Sequence, residues 1–111
     1  MIEISIEKRD QVHVVGLVGE IDATTAGQVQ QAVLPFSDSG GKIILDCTRL
    51  AYMSSAGLRT LLSLYRSAAA KQGKVVLAGL SVELKDTMSM TGFLGYFTLA
   101  DTIEAGMLVL A

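Results

Sequence analysis

Two adjacent serines, Ser54 and Ser55, are the residues with the clearest potential for chemistry. They lie in the segment RLAYMSSAGLR, where an apolar run gives way to hydroxyls, an alanine and a glycine. A serine hydrolase needs a general base, and its nucleophile elbow has glycines two positions before and after the serine. Met53 stands at the first of those positions, and the only histidine, His13, lies in a distant valine-rich segment where we expect it to face solvent. We therefore predict no catalytic residue, so the chain is not expected to be an enzyme.

The remaining candidate groups predict neither a metal site nor a cofactor. Asp22 and Asp46 are expected near the same end of neighbouring strands, but aspartates at such positions more often cap helices than catalyse. The tripeptide GGK at 40–42 lacks the upstream glycine and the following Ser or Thr of a phosphate-binding loop. Cys47 and His13 are the only residues of their types, which excludes an internal disulfide and a clustered Cys and His zinc site.

Length and composition indicate one domain, residues 1–111, with enough apolar residues for a substantial core. Half of the residues are hydrophobic, yet their runs are far shorter than the ~20 residues that span a bilayer. In the start, MIEISIEKRD, polar residues separate the isoleucines, so the segment does not resemble a signal peptide and we expect a cytoplasmic protein. The net charge is −2 and the nine basic residues are scattered, which argues against nucleic acid and membrane partners.

Apolar periodicity predicts a hairpin followed by a helix. Residues 2–7 alternate isoleucine with polar residues, and residues 12–18, VHVVGLV, are rich in β-branched side chains, so two paired strands are expected. Asp22 stands where a helix N-cap should, and apolar residues then recur at helical spacing. The predicted helix covers about 23 to 34 and ends at Pro35.

The segment 42–47, KIILDC, is a continuous apolar run typical of a buried central strand. A helix with one apolar stripe follows the serine pair, and Gly73 is its expected C-terminal cap. The predicted stripe consists of Leu58, Leu61, Leu62, Tyr65 and Ala68.

Residues 74–78 repeat the buried-strand pattern, and Ser81 is expected to cap a helix from about 82 to 91. An edge strand should follow the aromatic run FLGYF. Asp101 and Glu104 form a predicted capping box for a short last helix. The order β-β-α-β-α-β-α-β-α indicates an α/β fold, with a mostly parallel sheet of about five strands and helices packed on it.

The segment YMSSAGL resembles the hallmark of the STAS domain, specifically that of the bacterial anti-sigma factor antagonists. Agreement extends to VGEID at 18–22, to the strand IILD and to GKVVLAG after the second helix, so it spans nearly the whole chain. The resemblance implies a single STAS-like domain.

Aligned on that hallmark, the family's phosphorylated serine falls on Ser55 and its aspartate on Ser54. Its second hydroxyl residue falls on Ala56, and its Gly and Leu fall on Gly57 and Leu58. Two positions depart from the pattern. The loss of the aspartate removes a fixed negative charge beside the acceptor and leaves Ser54 as a rival phosphorylation site.

By resemblance, such a protein binds an anti-sigma factor that is also a serine kinase and thereby frees a sigma factor. Phosphorylation breaks the complex, and a PP2C-type phosphatase restores it. Asp22 matches the family's acidic residue before helix one, which implies a contact with the kinase. The implied partner-binding residues are Asp22, Ser54, Ser55, Ala56, Gly57 and Leu58.

An alternative is a constitutive scaffold or ligand-binding STAS module, in which Ser54 and Ser55 serve only as helix caps. Serine is a favoured N-cap residue, and one of the two hydroxyls is explained by that role alone.

Overall fold

A five-stranded sheet and four α-helices make up the computed structural model, which describes all 111 residues. The strands are β1 (Ile2–Arg9), β2 (Val12–Ile21), β3 (Lys42–Met53), β4 (Lys74–Ala78) and β5 (Thr98–Ala100). The helices are α1 (Ala26–Ser37), α2 (Ser55–Ala70), α3 (Val82–Met90) and α4 (Ile103–Leu110), with a single 3₁₀ turn at Leu94–Tyr96. The strand order is β1-β2-β3-β4-β5; only β1 and β2 pair antiparallel. The predicted element order and mostly parallel sheet are therefore confirmed.

The hairpin of β1 and β2 turns on two residues with left-handed backbones. Asp10 has φ 47° and Gln11 has φ 69°, the combination of a two-residue type I′ turn. This turn matches the twist of the strands, and pairing runs without interruption from Ile2 opposite Gly19 to Arg9 opposite Val12.

Strand β3 is twice as long as predicted, because it continues from Cys47 to Met53. Its pairing with β2 survives two register shifts and ends with Ile21 opposite Met53. Asp46 therefore lies in mid-strand, opposite Gly16, where its Oδ1 accepts from the amide of Thr48 at 3.1 Å. The expectation that it lies at the same strand end as Asp22 is wrong.

Helix α1 begins later and ends later than predicted. Asp22 opens a turn whose carbonyl accepts from the amides of Thr25 and Ala26, and the N-cap position belongs to Thr25. Pro35 lies on the exposed side of the last turn, and the amide of Asp38 still donates to Leu34 at 2.8 Å, so the helix passes the proline.

The other helix ends follow the predictions in part. The side chain of Ser81 accepts from the amide of Leu84 at 3.1 Å and caps α3, as expected. Thr102, and not Asp101, caps α4, because its hydroxyl accepts from the amide of Ala105 at 3.0 Å.

The two faces of the sheet carry separate apolar clusters. Helices α1, α2 and α3 contribute to a cluster of 20 buried residues on one face, and α4 covers a smaller cluster of six on the other. In α2 the fully buried stripe includes Leu64, which the prediction omitted, while Leu62 and Tyr65 are only half-buried. None of the four α-helices has both the length and the hydropathy that a bilayer crossing requires.

Candidate functional site

The carboxyl ends of β2 and β3 bring Asp22 and the serine pair to one edge of the sheet. Ile21 and Met53 are the last paired residues of these strands, so Asp22 and Ser54 follow them side by side. The amide of Ser54 donates to the carbonyl of Ile21 at 2.8 Å and holds the two segments together. Binding sites of open α/β sheets form at such strand ends.

Ser54 is the N-cap of α2. Its backbone is extended, its Oγ accepts from the amide of Gly57 at 3.4 Å, and its carbonyl accepts from the amide of Leu58 at 2.9 Å. The side chain is half-buried. The predicted capping role of Ser54 is confirmed, and its hydroxyl is engaged within the chain.

Ser55 is the first residue of α2, and its side chain is exposed. The amides of Ser55 and Ala56 donate to no acceptor in the protein, as is usual for the first turn of a helix. No acidic residue stands in that turn, and Arg59 is exposed one turn further along. The Ser55 hydroxyl therefore lies at the positive end of the helix dipole, where two N–H groups are free.

Asp22 is fixed by two threonines. Its Oδ1 accepts from the amide of Thr24 at 2.9 Å and from the Thr24 hydroxyl at 2.6 Å, while the amide of Asp22 donates to the Thr25 hydroxyl at 2.9 Å. The Thr24 hydroxyl, followed by its amide, lowers the pKa of the Asp22 carboxyl. Asp22 Oδ2 has no partner within the chain, so an ionised oxygen remains available beside the serine pair.

Gly57 and Leu58 face the interior of the protein. A Cβ on Gly57 would lie 2.8 Å from the carbonyl oxygen of Ile21 and 2.7 Å from Cγ of Met53. Leu58 is only 3% exposed and belongs to the larger apolar cluster. Their predicted part in partner binding stays a prediction, and the close approach that the glycine permits is to this chain's own β2.

His13 lies at the opposite end of β3 from the serine pair, because it pairs with Ile43 at the start of that strand. Its ring stacks on Phe36 at 4.0 Å between centroids, and its Nδ1 is buried without a hydrogen-bond partner. It therefore borders the helix-covered face instead of facing solvent as predicted. No Ser and His pair forms in this structure.

Sequence reasoning missed the residues that shape the site from beneath. Thr24 and Thr25 orient Asp22. The carbonyl of Ile21 accepts from the amide of Ser54, and Ile21 also packs closely against Gly57. The hydroxyls two and three residues after an aspartate are a signal for a local Asx-type turn that could have been recognised. Nothing in the sequence indicates the contact with Ile21, since it depends on the register between β2 and β3.

Comparison with known proteins identifies the family. A family model described as the STAS domain matches residues 3–106. The anti-sigma-B factor antagonist of Listeria monocytogenes is 35% identical over 105 residues, which cover 93% of this chain and 87% of that protein. The chain belongs to the STAS domain family.

Solved structures share the fold at lower sequence identity. An anti-sigma factor antagonist from Mycobacterium paratuberculosis superposes with a TM-score of 0.87 at 24% identity, covering 98% of this chain and 93% of that one. The Bacillus cell fate determinant SpoIIAA in its phosphorylated form gives 0.76 at 23% identity, covering 98% of this chain and all of that one. The site described above thus lies on a recurrent STAS scaffold.

Proposed function

We propose that this chain is a cytoplasmic anti-sigma factor antagonist, a regulatory binding module without catalytic activity of its own. Its direct partner is an anti-sigma factor that is also a serine kinase, and Ser55 accepts the phosphate. The relative from Listeria carries the name of an anti-sigma-B factor antagonist, and a protein of the same fold is known in a phosphorylated form.

The observation that carries the choice of Ser55 is the contrast between the two serines. Ser54 has its hydroxyl turned to the amide of Gly57, whereas Ser55 is exposed and makes no side-chain hydrogen bond. A kinase must reach a free hydroxyl, and modification of Ser54 would cost the helix its cap. Ser55 therefore presents the better acceptor.

A phosphate on Ser55 would be tolerated by the fold. It adds about −1.5 to −2 charges at pH 7, and the unpaired amides of Ser55 and Ala56 can donate to its oxygens. Arg59 follows four residues later, where side chains on a helix are neighbours, and it has no ion-pair partner in this chain. These contacts compensate the new charge without rearranging the sheet.

The same charge would act as a switch on the complex. A partner packed over Ser55 has to desolvate the phosphate, and a shift from nearly all bound to nearly all free needs a differential of roughly 5.5 kcal/mol. Asp22 contributes the complementary half of the surface, because its free Oδ2 can accept from a basic residue of the kinase. Removal of the phosphate by a PP2C-type phosphatase would restore binding.

The test uses the purified protein as bait, with mass spectrometry to identify the captured kinase, followed by phosphorylation with that kinase and ATP. We expect one phosphate per chain, its abolition by Ser55→Ala, and full labelling of Ser63→Ala, a matched serine further along α2. Undiminished labelling of Ser55→Ala would transfer the assignment to Ser54. Equal affinity of the phosphorylated and unmodified forms for the kinase would favour the constitutive scaffold.

A further inference from the structure

The outer edge of β1 has no neighbour. The strand lies at one end of the sheet, pairs only with β2, and runs for eight residues without a register shift or a proline. Natural edge strands are usually short, bulged or covered, because an open row of N–H and C=O groups invites another strand. Strand β1 is long, regular and uncovered, and its only edge protection is the charge of Glu3, Glu7, Lys8 and Arg9.

The backbone groups that point outward belong to the even-numbered residues. The amide of Glu20 donates to the carbonyl of Met1 at 3.2 Å, so odd-numbered residues of β1 face β2 in the alternating antiparallel ladder. The type I′ turn is flanked by Arg9 and Val12, which form a hydrogen-bonded pair in such a hairpin, so the turn also indicates that odd-numbered residues of β1 bond to β2. Ile4, Ile6 and Lys8 therefore present N–H and C=O groups to the solvent side.

The side chains of β1 divide between the two faces of the sheet. Ile2, Ile4, Ile6 and Lys8 lie on the face that carries helices α1 to α3. Ile2 and Ile4 pack against the larger apolar cluster, whereas Ile6 remains 48% exposed. The opposite face of the strand displays Glu3, Ser5, Glu7 and Arg9, all of them exposed.

One register makes this edge complementary to itself. When two antiparallel copies are centred on Ile6, Glu3 lies opposite Arg9 of the other copy, and this pair occurs twice. Opposite charges on facing strands stabilise a sheet, while like charges directly opposite destabilise it. Centring on Ser5 would oppose Glu3 to Glu7, and centring on Glu7 would oppose Glu7 to itself. Centring on Ile4 would oppose Glu3 to Ser5 and leave Arg9 without an opposite charge.

Centring on Ile6 also satisfies the backbone. Ile6 faces Ile6 of the second copy and Ile4 faces its Lys8, all residues whose amides and carbonyls point outward. About six N–H···O=C bonds can form across the junction. The two half-exposed Ile6 side chains then cover each other.

We propose that β1 binds β1 of a second copy of this chain, antiparallel about a two-fold axis at Ile6, and so joins the two sheets into one. Arg9 keeps its bond to Glu7, at 2.6 Å, and its ion pair with Glu104, at 3.9 Å, and gains Glu3 of the second copy as a further partner. The Ser55 region lies beyond the end of β3, with β2 between it and β1, so both copies keep that surface open. The proposal does not depend on the role of Ser55.

Charge reversal tests the register directly in the full-length protein. We expect a concentration-dependent dimer of wild type in analytical ultracentrifugation. Glu3→Arg alone and Arg9→Glu alone should each raise the dimer Kd at least about tenfold, because both create two like-charge pairs. An equimolar mixture of the two variants should recover dimers, since Glu3→Arg then meets Arg9→Glu at one junction and the native pair forms at the other.

Glu83→Arg is the matched control, because it makes the same charge change on the exposed face of α3 and should leave the dimer unaltered. Ile6→Lys should abolish the dimer, and circular dichroism melting identifies any variant that fails to fold. A wild type that stays monomeric up to millimolar concentration would overturn the proposal. So would a mixture of Glu3→Arg and Arg9→Glu that stays monomeric while both variants melt as wild type does.

Discussion

Two neighbouring serines of identical chemistry differ here by one position at the start of a helix. Ser54 has an extended backbone and directs its hydroxyl at the amide of Gly57, whereas Ser55 is already helical and directs its hydroxyl to solvent. The difference follows from cap geometry, because the side chain of the residue just before the first helical one is placed to accept from an amide of the first turn. The family resemblance aligns the capping serine with an aspartate, which is an equally good cap.

Gly57 should be intolerant of any side chain. We expect Gly57→Ala to reduce the free energy of unfolding by about 1–3 kcal/mol, because its Cβ would lie within 3 Å of Ile21 and Met53. Urea unfolding measures this change. Gly27→Ala is the control, since a Cβ there meets nothing within 4 Å and alanine favours the helix, so this variant should be neutral or slightly stabilising. Equal effects of the two substitutions would refute the packing argument.

Asp22 should give the protein a stability contribution that is lost in acid. The pKa of this carboxyl is lower in the folded chain than in the unfolded one, so the unfolded state takes up the proton first. The contribution is complete above the unfolded pKa and disappears as the pH falls through the folded one, below about pH 4. Thermal melts at pH 6 and about pH 3 should show a smaller loss for Asp22→Asn than for wild type. An identical loss would show that the threonine bonds do not favour the ionised form.

At the scale of elements, the residue types at the end of a helix depend both on backbone conformation and on how closely a neighbouring segment passes. Helix α2 ends with the amide of Gly73 bonded to Ala68 and that of Gln72 bonded to Ala69, the two bonds of a Schellman motif. The left-handed residue of the motif is Gln72, with φ 64°, and not the predicted Gly73. Gly73 instead lets the chain pass Gly41, whose carbonyl oxygen would lie 2.6 Å from an added Cβ.

Gln72→Gly should therefore stabilise the protein. A left-handed backbone costs a residue with a Cβ about 1–2 kcal/mol, and glycine loses part of that gain through the greater freedom of its unfolded chain. We expect a net increase of about 0.5–1 kcal/mol in the free energy of unfolding, measured with denaturant. Lys71→Gly is the control, because Lys71 has φ −109° and should lose stability on the same substitution. A loss with Gln72→Gly would contradict the motif.

At the scale of the whole molecule, the sheet separates a large core under three helices from a small one under α4. Cys47 lies in the large core, and its burial raises the pKa of the thiol to about 12, with the neighbouring Asp46 charge as a smaller cause. At pH 8 about one thiol in ten thousand is then ionised. The reactivity of this thiol therefore depends on whether the large core is folded.

Alkylation of Cys47 at pH 8 should follow opening of the fold. We expect iodoacetamide to react at least about a thousandfold more slowly with the native protein than with the protein in concentrated urea, because only unfolded molecules expose the thiolate. Mass spectrometry of quenched samples gives both rates. A native rate within tenfold of the unfolded one would mean that the thiol is accessible without unfolding.

The sequence alone determined the element order, the mostly parallel sheet, the caps Ser54 and Ser81 and the position of the serine pair between a strand and a helix. Each depends on local signals, namely apolar period, cap chemistry and the change from strand to hydroxyl-rich loop. The family resemblance also followed from contiguous segments.

Only the tertiary structure decided how far β3 runs, that Asp22 and not Asp46 stands beside Ser54, and that Gly57 and Leu58 are interior. These facts depend on the register between β2 and β3, which shifts twice and is set by pairing between segments some 30 residues apart. The open edge of β1 is likewise a property of strand order. A period of two predicts a strand but does not indicate which strands lie at the edge of the sheet.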